Sequence, residues 1–178
     1  MQKKFIQTLG GTLSMGLLLT GYALAQQGTN STADTKFAKE AASGGMAEVQ
    51  MGQLAVQNAS NEQVKKFGQR MVDDHSKAND QLKGIAAKDN ITLPSELDAK
   101  DQATLKRLQG LKGTAFDRAY MQDMVKDHQH DVSDFQKEAS NGSNPDLKAF
   151  ASQTLPTLQE HLKMAQDASS AVGAMSKK

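Results

Sequence analysis

Four side chains able to do chemistry recur at helical spacing within apolar stripes: Glu48, His75, His128 and His161. Met71 stands four residues before His75, Met124 four before His128, and Met164 three after His161. Spacings of three and four stack side chains on one face of a helix, so each Met–His pair looks into the same interior. Imidazole and thioether are ligands for soft and borderline ions. A carboxylate inside an apolar stripe is costly unless it is protonated, hydrogen-bonded or bound to a cation. Glu48, His75, His128, His161, Met71, Met124 and Met164 therefore make a candidate metal set. Its donors suit copper, Cu(I) in particular, better than Mg, Ca or di-iron chemistry, so a copper ion is the cofactor it suggests. The same residues fit a second reading without an ion, in which a Glu–His or Asp–His hydrogen-bond network fixes helix register and the methionines fill the core.

The set is built on a duplication. Met71-Val72-Asp73-Asp74-His75 recurs 53 residues later as Met124-Val125-Lys126-Asp127-His128. An aromatic residue precedes each Met by four (Phe67, Tyr120), and a large apolar residue follows each His by seven (Leu82, Phe135). Matching types in fixed register on two helices point to paired roles on facing surfaces of one core.

Those helices follow from the apolar period. Phe37, Ala41, Gly44/Gly45, Glu48, Met51, Ala55 and Ala59 predict a helix over 34–59 with Asp34 as N-cap. Ser60 and Gln63 match a capping box that starts a second helix, reaching Asp89 through Val64, Phe67, Met71, His75, Ala78, Leu82 and Ile85. Pro94 cannot extend it, and Ser95 can cap a short helix near 98–110. A helix over 114–140 carries Phe116, Tyr120, Met124, His128, Val132, Phe135 and Ala139 in one stripe. Asn144 then caps a last helix that has Pro145 at its first position and Pro156 inside it. From Ser169 the chain reads as fraying. No segment alternates with a period of two, so the fold class is all-α.

Tight breaks at Ser60 and Asn141 imply two antiparallel hairpins. The link over 90–113 holds a helix of about 13 residues, or roughly 20 Å, enough to return along the bundle. The second and fourth helices then run parallel, as in a ferritin-like four-helix bundle whose crossover connection contains a short extra helix.

Several constellations fail on geometry. His128 and His130 lie about 200° apart on a helix and cannot grip one ion, so His130 reads as solvated. His161 lies about 100° from Leu162 and reads as the edge of the core. Asp123, Asp127, Asp131 and Asp134 read as a solvated acidic ridge flanking His128. No Glu-x-x-His occurs, which disfavours a carboxylate-bridged di-iron centre, and no phosphate loop, zinc-protease motif, EF-hand loop or nucleophile elbow is present. No catalytic residue stands out, and a non-enzymatic role is the expectation.

Composition sets the frame. The 178 residues carry 21 Lys and Arg against 20 Asp and Glu, so no bulk charge holds the chain to phosphate backbones, and nucleic acid is not an expected partner. The absence of Cys removes thiolate catalysis, Cys-ligated zinc and disulfides. Lys3 and Lys4 precede an uncharged stretch from Phe5 to Ala25 that ends in Ala23-Leu24-Ala25. Residues 1–25 read as an export signal peptide whose cleavage before Gln26 delivers the chain to the periplasm without a transmembrane span, an uncleaved anchor being the alternative. Residues 26–33 are then a flexible leader, 34–171 the bundle and 172–178 a disordered tail. An envelope protein or a second copy of the chain is the partner to expect.

With these residues laid out, the chain resembles a bacterial ferritin-like family of unknown function, made of exported proteins often labelled as outer-membrane or membrane proteins. The resemblance covers about 35–170. It rests on Phe37, Glu48 and Leu54, on Arg70 to His75 (RMVDDH), on Met124 to Phe135 (MVKDHQHDVSDF) and on Leu155 to Ala165 (LPTLQEHLKMA). It implies a ferritin-like bundle in the periplasm or cell envelope and carries no activity. Three roles fit the sequence: an envelope structural or stress-related interaction module, a copper-type metal-binding bundle, and a redox enzyme using the bundle centre, against which the missing Glu-x-x-His pair counts.

Overall fold

The computed structural model describes residues 30–175; the expected signal peptide and most of the leader lie outside the described residues. Five α-helices follow in order: α1 (Thr32–Asn58), α2 (Glu62–Lys88), α3 (Ala99–Gln109), α4 (Gly113–Asn141) and α5 (Pro145–Met175). Among the described residues there is no strand, and no helix is long and apolar enough to cross a membrane.

The helix starts differ from the sequence reading where a better acceptor is at hand. Ser31, not Asp34, caps α1: its Oγ accepts from Asp34 N at 3.1 Å while Asp34 Oδ2 accepts from Ser31 N at 2.9 Å, a reciprocal box one turn earlier. Asn61 rather than Ser60 caps α2, accepting from Gln63 N at 2.7 Å. Ser60 is drawn instead to a charge: its hydroxyl donates to Asp117 Oδ2 at 2.6 Å and its N–H to Asp117 Oδ1 at 3.0 Å. Asp98 rather than Ser95 caps α3. Asn144 caps α5 as expected, accepting from Asp146 N at 2.8 Å and Leu147 N at 3.0 Å. That last helix does not fray at Ser169, because Ala168 and Val172 are buried in the core and hold it to Met175. It continues through Pro156, which cannot donate to the Ser152 carbonyl.

Contacts at the helix ends fix the topology. Asp117, in the first turn of α4, accepts from Ser60 and Asn61 at the start of α2, so α2 and α4 begin at the same end and run in the same direction. At the other end Asp34 accepts from Ser143 N at 2.9 Å, and Asn144 Nδ2 donates to Asp89 Oδ2 at 2.7 Å. The start of α1, the end of α2 and the α4–α5 turn therefore meet there. α1 packs on α2 and α4, and α5 packs on α4 and α2. The two duplicated segments thus look at each other across the interior. The connection after α2 returns along α1, where Asp98 N donates to Ser43 Oγ at 3.0 Å.

α1 and α2 approach closely because glycine meets glycine. A Cβ at Gly52 would stand 2.6 Å from the Gly68 carbonyl, and one at Gly68 would stand 2.6 Å from Ala55 Cβ.

The core is divided in two. One apolar cluster gathers Met51, Phe67, Met71, Phe116, Tyr120 and Met124 with the end of α5. The other gathers Phe37, Leu82, Phe135, Leu147, Phe150 and Leu158. On three of the long helices one histidine stands between the two clusters, His75 on α2, His128 on α4 and His161 on α5, and on α1 Glu48 lies at the border of the first cluster, between Ala47 and Met51.

Candidate metal centre

Four helices each place one polar side chain in this layer, and all four are buried: Glu48 is 4% exposed, His75 6%, His128 and His161 0%. His161, expected at the edge of the core, is enclosed. The α5 face it shares with Leu158 and Ala165 turns wholly inward.

Each imidazole is held by one nitrogen and leaves the other without a partner. His75 Nδ1 lies 2.8 Å from Glu48 Oε2. His128 Nδ1 lies 3.0 Å from the Met124 carbonyl, its own preceding turn. His161 Nε2 lies 2.8 Å from Asp74 Oδ2. Carbonyl and ionised carboxylate only accept, so these three nitrogens carry the ring protons. In a neutral ring the other nitrogen carries the lone pair, and those nitrogens, His75 Nε2, His128 Nε2 and His161 Nδ1, are buried with no hydrogen-bond partner, as is Glu48 Oε1.

The rings converge. Their centroids form a near-equilateral triangle with sides of 5.7, 5.4 and 5.4 Å. One ring nitrogen from each lies within 4.8 Å of the others. Nitrogens bound tetrahedrally to one zinc-sized ion stand about 3.3 Å apart, so the three rings would have to draw together to share one. Glu48 Oε1 borders the same space, 3.4 Å from His128 Nε2.

The electrostatics separate the groups by role. Burial by itself would raise the Glu48 carboxyl, but the imidazoles of His75 and His128 beside it hold it down at about 2, so it is an anion. Burial pushes His161 down to about 4 against the pull of Asp74, and pushes His128 down against the pull of Glu48. Both are neutral imidazoles at neutral pH, the form that ligates metals. Asp74 is drawn upward by burial and more strongly downward by Arg70 and His161. It is the anion that orients His161.

The methionines serve the apolar cluster. Met71 and Met124 are fully buried in it beside Phe67 and Tyr120, and Met164 packs against its edge. The donors that the layer itself presents are imidazole and carboxylate. Tyr120 extends this cluster toward the centre: its hydroxyl is buried without a partner, and burial together with the Glu48 charge keeps it protonated.

Three carboxylates at the site carry more than their sequence pattern shows. Asp74, inside the duplicated pentapeptide, is the hydrogen-bond partner of His161, and its position one residue before His75 was the available signal. Asp127 and Asp131, read as a solvated ridge, turn inward. Burial pushes Asp131 well above the ordinary carboxyl range, and its carboxyl meets Glu48, to which it hydrogen-bonds only while protonated. Glu48, His128 and Asp131 form a second group whose potential ligand atoms lie within 4.8 Å of one another. Both aspartates line a pocket of about 170 Å³ together with Glu48, Asp98, Asp101 and Lys100. His130 is solvated as expected, on the rim, 3.4 Å from Asp134.

Known proteins place the architecture. A family model described as "Domain of unknown function (DUF4142)" matches residues 20–168. Among solved structures, one described as a DUF305 fragment from Deinococcus radiodurans is similar, with a TM-score of 0.69 at 10% identity over 82% of this chain and 98% of that one. Another, described as "putative secreted protein DUF305 from Streptomyces coelicolor", gives 0.68 at 16% identity over 79% of this chain and 92% of that one. Likeness at such identities concerns the fold alone. Among curated proteins none matches the chain.

Proposed function

The chain belongs to the DUF4142 family, and from that premise we propose that it is an exported, ferritin-like four-helix bundle that holds one divalent transition-metal ion at His75, His128 and His161. The observation that carries this is a set of three buried imidazoles that each leave one ring nitrogen without a partner and that bring one ring nitrogen apiece within 4.8 Å of the others. A buried nitrogen left without a partner costs about 1–3 kcal/mol, and three in one place are hard to account for as packing alone. An ion that accepted all three lone pairs would remove that cost.

The second half of the arrangement supports the same reading. Ligating histidines almost always donate their other ring N–H to a carboxylate or carbonyl, which fixes the tautomer and raises basicity. Glu48, Met124 O and Asp74 stand in those three places. Glu48 has a free oxygen to complete a fourth position. Three imidazoles and a carboxylate suit Cu(II) or Zn(II) better than Cu(I), for which thioethers would have to replace nitrogens. With no sequence signature of catalysis and ligands on all sides, the role is holding the ion, not reacting at it. The amino-terminal segment ending in Ala23-Leu24-Ala25 supports export to the periplasm.

Chelator-stripped protein titrated with Cu(II) and with Zn(II) tests the proposal, the bound ion being counted after gel filtration. One ion per chain is expected, reduced to none in the double variant His75→Ala/His128→Ala. No ion retained by the parent, or equal retention in the variant, returns the layer to a packing network in a structural or interaction module.

A further inference from the structure

Resting on that reading, we infer that Glu48, Asp131 and His128 form an outer station through which a divalent cation enters from the acidic pocket and is handed to the three-histidine site. The argument begins with His128, which belongs to both ligand groups. Its Nδ1 is committed to the Met124 carbonyl, so Nε2 is the nitrogen it can offer to either. One lone pair binds one ion. The two groups are therefore alternative positions for a single ion, and His128 is the ligand that stays bound as the ion moves from one to the other.

The positions of the other two members set the direction. Asp131 and Glu48 line the pocket that opens between α1, α4 and the start of α3. Glu48 also bonds His75 of the inner group through Oε2. Glu48 and His128 are each more than nine-tenths buried, and Oε1 of one and Nε2 of the other are unpartnered while lying 3.4 Å apart. An ion leaving the pocket therefore meets Asp131 and Glu48 first and the remaining imidazoles last. The pocket's charge suits a cation: Glu40, Asp98, Asp101, Asp127 and Asp134 line it besides Glu48 and Asp131, and Lys100, which pairs with Asp127 at 3.4 Å, is the one lysine among them. A cleft lined by one sign of charge raises local counter-ion concentration and on-rates by about ten- to a thousandfold.

The decisive experiment is stopped-flow uptake of Zn(II) by chelator-stripped full-length protein, paired with the equilibrium count of bound zinc. Asp131→Asn keeps the shape and replaces the carboxyl that an arriving cation would ionise and bind with an amide that cannot ionise. Asp134→Asn, on the pocket rim and outside both ligand groups, controls for general loss of local charge, and helical circular dichroism confirms that both variants fold. Asp131→Asn is expected to slow both uptake and release about tenfold while still binding one zinc per chain, with Asp134→Asn near the parental rate. Parental uptake by Asp131→Asn at full occupancy overturns the outer station and leaves the three-histidine site standing. Equal slowing by both variants overturns it in favour of general charge steering. A lower zinc count in Asp131→Asn also overturns it, by making Asp131 a ligand of the resident ion. No zinc in the parent is the separate result that removes the three-histidine reading itself, and the outer station with it.

Discussion

His161 Nε2 donates to Asp74 Oδ2 at 2.8 Å across the α5–α2 contact, and that single bond decides which nitrogen of His161 faces the centre. Asp74 is itself clamped by Arg70, which reaches on to Glu160 at 3.3 Å. A chain of charges from the surface thus fixes a ring that is wholly buried.

Asp74→Ala leaves His161 free to change tautomer and orientation. Loss of such an orienting partner typically weakens metal affinity about 10–100-fold. Competition titration of zinc against a chromophoric chelator should show that loss at unchanged stoichiometry, with Asp74→Asn, which keeps an acceptor oxygen, closer to the parent. Identical affinities for all three proteins would show that His161 needs no orientation.

His128→Leu separates the metal reading from the packing reading. His128 is fully buried with an orphaned Nε2, so in chelator-treated protein an apolar replacement removes an unmet polar group and should leave stability equal or about 1 kcal/mol higher. The parent should gain about 2.7 kcal/mol when free zinc reaches a hundredfold over its Kd, and the variant should gain nothing. Thermal melts with and without zinc read both effects. A strongly destabilised metal-free variant would mean that His128 is held by partners in the folded state and is not waiting for an ion.

The fold was legible where one period governed many residues. The 3.6-residue stripes gave four long helices within a few residues of their observed ends, and the duplicated pentapeptides placed His75 and His128 in one interior. Caps were read less well, because several side chains near each helix start can serve and the choice depends on distant atoms: Ser60 is taken by Asp117, 57 residues away, leaving Asn61 to cap. Asp131 was missed for a related reason. On a helical wheel it flanks the apolar stripe, and nothing local tells that α1 and the start of α3 close over it. His161 was underestimated in the same sense, since its face of α5 is enclosed by the neighbouring helices.

The α1–α2 crossing separates two kinds of glycine. Gly52→Ala and Gly68→Ala each gain up to about 1 kcal/mol of helix propensity but drive a methyl to 2.6 Å from Gly68 O or Ala55 Cβ. Overpacking of that kind costs typically 1–3 kcal/mol, so both should destabilise by about 1–2 kcal/mol net. Gly84, inside α2 with nothing within 4 Å of its would-be Cβ, should instead be stabilised by alanine by about 0.5–1 kcal/mol. Urea midpoints for the three variants give the signs directly, and a stable Gly68→Ala protein would show that the two helices can slide apart at little cost.

Acid should loosen the metal-free protein through His161. Its folded pKa, depressed by burial from 6.5 to about 4, means that the folded state binds fewer protons than the unfolded one between those values. The contribution is fully present above pH 6.5 and is lost as pH falls toward 4, on the order of 3 kcal/mol in all. Asp101 works against it in the same window: burial and Asp98 raise its carboxyl to about 6, so the stability it contributes is present below 3.8 and lost as pH rises through 6. The bare pH profile of the parent is therefore a sum of opposing slopes. The difference between the parent and His161→Leu cancels the Asp101 part. Unfolding free energies of both proteins from pH 4 to 8, in chelator, should diverge as pH rises from 4 to 6.5, with the parent gaining the larger increment, and run parallel above it. Parallel curves throughout would mean that His161 titrates as it does in the unfolded chain, and that its ring is open to water.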